Sequence, residues 1–106
     1  MAVSDAPWGS IMPADYSLEQ WVRACLIHLE TGRPTAKAMH KLPVRTPDGT
    51  VNRGGAHAAA SVLAGGRGGV DAPPDKKRAA ARELVSIYRN QLDEDPPESL
   101  VRFARD

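Results

Sequence analysis

Apolar residues in the first third of the chain recur at helical spacing. Leu18, Trp21, Val22, Cys25, Leu26 and Leu29 are separated by three or four positions. That spacing predicts one amphipathic helix whose stripe faces a core. Ser17 precedes the stripe and Gln20 lies three residues on, the pattern of a capping box. Gly32 and Pro34 then stop the helix. Ile27 falls on the opposite side, exposed or part of a contact surface.

The pattern then changes. Lys41-Leu42-Pro43-Val44 reads as a short extended piece or loop around 41–45, with Pro43 biasing Leu42 towards extended geometry. No second strand is evident, so no sheet is expected. Pro47 and Asp48-Gly49 make a turn. Asn52 caps a second helix in which Ala56, Ala59, Ala60 and Leu63 share a face, and Gly65-Gly66 end it. Pro73-Pro74 open the third and longest helix. Its apolar face is Ala80, Ala81, Leu84, Ile87 and Tyr88; Arg78, Arg82 and Arg89 line another face, with Val85 at its edge. The run Asp93 to Pro97 breaks it, and Glu98 to Ala104 forms a short last helix. Met1 to Ala14 shows no periodicity and reads as an arm, in which Trp8 either docks on its own core or anchors a partner.

The expected fold is therefore all-α: three main helices and a short C-terminal one in a single domain over 15–106, with an N-terminal arm over 1–14. Trp21, Cys25, Leu26, Leu84, Ile87 and Tyr88 are expected to share one core.

Charge adds an asymmetry to this pattern. The net charge is +1, but residues 37–92 carry ten basic and four acidic side chains, a balance of +6, while residues 1–36 stand at −2 and residues 93–106 at −3. A basic centre between acidic flanks either attracts an acidic partner or is matched within the fold. The single cysteine, Cys25, excludes an internal disulfide. No apolar run approaches the roughly 20 residues of a membrane helix, and no signal-peptide pattern opens the chain, so a soluble, intracellular protein is expected.

Candidate chemistry is sparse. Cys25 and His28 have C-x-x-H spacing, and His40 and His57 are the remaining histidines, but Cys25 lies in the apolar stripe and reads as a small hydrophobe. A cysteine–histidine nucleophile lacks an indicated base and oxyanion site. The carboxylates from Asp93 to Glu98 read as a solvated loop. The glycine loop Gly65–Gly69 has no strand before it and no Gly-Lys-Ser/Thr ending, and two prolines follow, which argues against phosphate binding. Arg53-Gly54-Gly55 and Arg67-Gly68-Gly69 are isolated triplets rather than an RNA-binding run. No catalytic, cofactor-binding or metal-binding residue is expected. The residues expected to meet a partner are Arg78, Arg82, Arg89, Arg67 and Trp8.

Lys41-Leu42-Pro43-Val44, Asp48-Gly49, Arg67-Gly68-Gly69-Val70-Asp71-Ala72-Pro73, Leu84…Tyr88-Arg89 and Pro96-Pro97-Glu98 together cover most of the chain. In these segments it resembles a small module appended to prohead proteases and head-assembly proteins of tailed phages. Pro7-Trp8 and Asp15-Tyr16-Ser17…Gln20-Trp21…Cys25-Leu26-Ile27 resemble the stand-alone version found in small proteins of actinobacteria and their phages. The resemblance implies an accessory domain and brings no catalytic residues, since the protease domain itself is absent. The expected function is a non-enzymatic phage- or prophage-derived interaction module. Its partner would be a phage head or host protein, in head assembly or host takeover, in the cytoplasm or on the virion. The alternative is weak nucleic-acid binding by the basic centre and the Arg stripe of the third helix.

Overall fold

The computed structural model describes residues 3–64 and 70–105. Ser17 caps the first helix, α1 (Leu18–Ala24), as its neighbours dictate. Its Oγ accepts from the Gln20 N–H at 3.2 Å, and Gln20 Oε1 accepts from the Ser17 N–H at 2.8 Å. The helix ends eight residues before Gly32, because Cys25 is already extended at φ −89° and ψ 149°. The chain passes without a loop into a strand, β1 (Cys25–His28). β1 pairs antiparallel with β2 (His40–Pro43), in the register Cys25↔Pro43, Ile27↔Lys41 and His28↔His40.

This pairing corrects the all-α expectation: the fold mixes helices with a two-stranded sheet. The stripe spacing is the same for either conformation up to Cys25, so burial decides. A helix continued to Leu29 would turn Ile27 to solvent, whereas the strand buries Cys25, Leu26 and Ile27 together, Ile27 to 1% exposure. Full burial of an isoleucine stabilises by about 1.5–3 kcal/mol. Helix propensity distinguishes ordinary residues by less than about 0.7 kcal/mol each. Packing therefore outweighs the local preference.

The ladder continues past both strand ends, with the Leu29 N–H donating to Met39 O at 2.7 Å and the Val44 N–H to Ala24 O at 2.8 Å. Between these bonds Leu42 sits at φ 63°, left-handed rather than extended as Pro43 predicts. A non-glycine residue held there costs on the order of 1–3 kcal/mol. Its buried side chain and the flanking ladder hold it in place.

After β2 the chain turns through Thr46–Thr50, with Gly49 at φ 92° and Asp48 Oδ1 accepting from the Thr50 N–H. Asn52, fully buried, caps α2 (Arg53–Leu63) by accepting from the Gly55 N–H at 2.8 Å. The same side chain donates to Ser4 Oγ and Ala6 O, and Ser4 bridges to the backbone beside it. These bonds tie the N-terminal arm down. Trp8 lies flat over the start of α2, where a Cβ on Gly55 would stand only 3.0 Å from the indole. Gly55 is thus required by close approach. The expected end of α2 at Gly65-Gly66 lies outside the described residues.

Pro74 opens α3 (Pro74–Ile87), which continues as one wider π-type turn over Tyr88–Leu92. Asp93 closes that turn at φ 54°, and the Glu94 N–H donates to Tyr88 O at 2.9 Å. α4 (Glu98–Arg105) folds back against α3. The apolar residues form two clusters rather than the single expected core. Leu26, Ile27, Val44, Leu84, Ile87, Tyr88 and Leu100 belong to the larger one. Trp21 and Cys25 join Tyr16 and Ala24 in a separate small one.

Candidate functional site

α3 and α4 enclose a groove of about 440 Å³ lined by Arg82, Val85, Arg89, Val101, Ala104 and Arg105. Its construction follows from helix periodicity. Arg82, Val85 and Arg89 recur at spacings of three and four, so they share the face of α3 and its extension that looks towards α4. On α4, Ala104 and Arg105 lie three and four residues after Val101 and share its face, and Leu100 is buried. The result is an apolar floor with three guanidinium groups around it. Arg82 is positioned by its Nε, which donates to Ala104 O at 3.2 Å near the end of α4. That bond uses one of its five N–H groups and leaves the fork able to take a carboxylate.

The residues singled out from sequence separate in the structure. Arg82 and Arg89 line the groove; both are exposed. Arg78 does not line it: its Nε is buried and has no hydrogen-bond partner among the described residues. Trp8 is seated on α2 of its own chain. Arg67 lies outside the described residues, with the rest of Gly65–Gly69. Arg105, which sequence spacing on α3 alone does not reveal, completes the groove. The signal for it was present in α4, where Ala104 and Arg105 lie three and four residues after Val101.

The acidic stretch after α3 engages a different basic group. Glu94 accepts from Arg53 Nη1 and pairs with His57 Nε2 at 2.9 Å, while Asp5 pairs with Arg53 Nε at 2.8 Å. Hydrogen bonds from His57 and Arg53 hold the Glu94 carboxyl below its ordinary range. His57 also stacks on Tyr88, with ring centroids 5.6 Å apart. Arg89 borders a small hollow with Asp93, Glu94 and Asp95. Among the described residues, neither Arg82, Arg89 nor Arg105 belongs to an ion pair.

A second polar cluster joins the two strands. His28 and His40 stand opposite each other, Nδ1 to Nδ1 at 2.8 Å, and His40 Nε2 meets Glu30 Oε2 at 2.8 Å. Thr35 donates to Glu30 through Oγ1 at 2.6 Å and through its N–H at 3.0 Å. Those bonds are the main cause that brings the Glu30 carboxyl down to about 2. Sequence reading missed this cluster because it missed the strand pairing that creates it. Cys25 is buried, and desolvation pushes its thiol up to about 12, so it stays protonated and unreactive at neutral pH. Among the described residues, no group of three or more His, Cys, Asp or Glu is placed to hold a metal ion. None of the described helices is long and apolar enough to cross a membrane.

Comparison with protein-family models, curated proteins and solved structures returned no match.

Proposed function

We propose that this protein is a non-enzymatic interaction module that seats an acidic, partly apolar segment of a partner protein in the α3–α4 groove. The observation that carries this reading is the convergence of Arg82, Arg89 and Arg105 on the floor of Val85, Val101 and Ala104. Apolar side chains of the partner would fill the floor, and its carboxylates would meet the guanidinium forks bidentately. The protein's own acidic stretch supports the reading, because Glu94 is engaged with Arg53 and His57. The resemblance of its segments to phage head-assembly modules makes a head or host protein the partner we propose.

A titration with a labelled helical peptide carrying glutamates around a leucine stripe tests the proposal. Wild type is expected to bind, and the triple variant Arg82/Arg89/Arg105→Ala to bind at least about tenfold more weakly. Exposed ion pairs contribute up to about 1 kcal/mol each, and three are removed. Equal binding by the variant would remove the groove from consideration. The alternative, nucleic acid, is separated by salt, since phosphate contacts weaken steeply as salt rises. Tight duplex binding at physiological salt that disappears in the triple variant would replace the acidic protein segment with nucleic acid.

A further inference from the structure

We propose that His28, His40 and Glu30 form an acid-sensitive latch that closes the tip of the β1–β2 hairpin at neutral pH and releases it on acidification. The geometry dictates the proton positions. Glu30 is an ionised carboxylate and only accepts, so His40 donates its Nε2–H to it. That leaves His40 Nδ1 as an acceptor, and the proton in the 2.8 Å gap between the rings belongs to His28. The chain Glu30···H–His40···H–His28 is therefore fully satisfied with both imidazoles neutral.

The latch tolerates one added proton and not two. The first goes to His28 Nε2 and leaves the bond between the rings intact. The second must go to His40 Nδ1 and sets two N–H donors against each other across the same gap. His40 is buried at 4% exposure, so water does not relieve that conflict in place. Once the hairpin tip separates, both rings are solvated and His28 loses the burial that holds it below the ordinary imidazole range. The open form thus takes up more protons than the closed one, and acid drives opening.

β2 contributes His40, the connection after β1 contributes Glu30, and α3 contributes Lys76 and Glu83. Desolvation, then His40, hold His28 below the ordinary imidazole range; Glu83 opposes this and Lys76 adds to it. A second feature biases the tip towards release. Leu42, two residues from His40 in the same strand, occupies the left-handed region at φ 63°. Opening the ladder lets that backbone relax.

Hydrogen exchange on the full chain, followed residue by residue and corrected for intrinsic rates, tests the latch. Between about pH 7.5 and about pH 5, protection of the Leu29 amide, which donates to Met39 O, is expected to fall at least about tenfold. Protection in α2, at Ala60, is expected to hold. His28→Asn donates to neutral His40 and can turn its amide oxygen to accept from protonated His40 Nδ1, so no donor–donor conflict arises and the Leu29 profile should be flat. Glu30→Gln removes the charge that balances the first proton, and opening should move to higher pH. Leu29 protection independent of pH, or as steep a loss in His28→Asn as in wild type, would overturn the proposal. If the Asn variant does not fold, ring-proton titrations of wild type decide instead. Coupled two-step curves for His28 and His40 that coincide with the loss of protection support the latch, and independent single steps near the ordinary value refute it.

Discussion

The two apolar clusters are held together in different ways. The larger one is mostly aliphatic: Leu84 and Leu100 have no exposed surface, Ile27 has 1%, and no polar atom of these side chains needs a partner. The smaller one is built from Tyr16, Trp21, Ala24 and Cys25, and its aromatic tips are tied to backbone carbonyls. Tyr16 donates to Arg45 O, and Trp21 Nε1 to Lys37 O at 3.0 Å and His40 O at 3.2 Å. Lys37 Nζ returns the favour by donating to Pro13 O and Tyr16 O. The first cluster gains stability from area, which is non-directional and cooperative. The second gains it from a few aimed bonds across loops, which open locally and respond to pH.

The largest expected effect lies in the aliphatic cluster. Leu84→Ala should cost ~2–5 kcal/mol in chemical denaturation, because it empties a site where α2, α3 and the sheet meet. An unchanged midpoint would show that the clusters do not differ as described. In the small cluster, Trp21→Phe keeps much of the ring but drops the N–H shared by Lys37 O and His40 O. About 0.5–1.5 kcal/mol of lost stability is expected, together with faster exchange confined to the Lys37–His40 turn. Exchange rising equally in α3 would merge the clusters into one cooperative unit.

A further difference shows only at alkaline pH. Burial raises the Cys25 thiol to about 12 from 9.0; for Tyr16, burial first, then Cys25 and Asp15, raise the phenol to about 12 from 10.0. Both folded values lie above the unfolded ones, so the stability they contribute is fully present below pH 9.0 and is lost as pH rises towards 12. Thiol labelling of Cys25 should therefore accelerate through that window more than thiolate formation in a free cysteine explains. Cys25→Ala should delay the local loosening until Tyr16 ionises.

Local signals were legible in the sequence wherever neighbours decide the outcome. The Ser17–Gln20 box, the Asn52 cap, the Asp48-Gly49 turn and the Pro74 helix start all stand where their chemistry requires. The helix expected to reach Leu29 was misread because positions 21, 22, 25 and 26 satisfy a helical stripe and also lie at a helix-to-strand junction. What separates the two is β2, a dozen residues away, and its strand character is masked by Pro43 and by the left-handed Leu42. The same non-local event hides the His28–His40 contact. For the groove, Arg82 and Arg89 were readable from α3 alone. Excluding Arg78 and including Arg105 required knowing how α4 lies across α3.

The direct junction between Ala24 and Cys25 bears on how this chain tolerates change. Elsewhere, connecting segments absorb added residues with little effect. Here the helix hands over to the strand with no slack. One residue inserted at that point shifts β1 by a single position, and the two faces of the strand exchange. Leu26 would then stand where Ile27 was, and Ile27 where His28 was. Length variation in descendants of this chain is thus steered away from residue 24 and into the stretch between the strands.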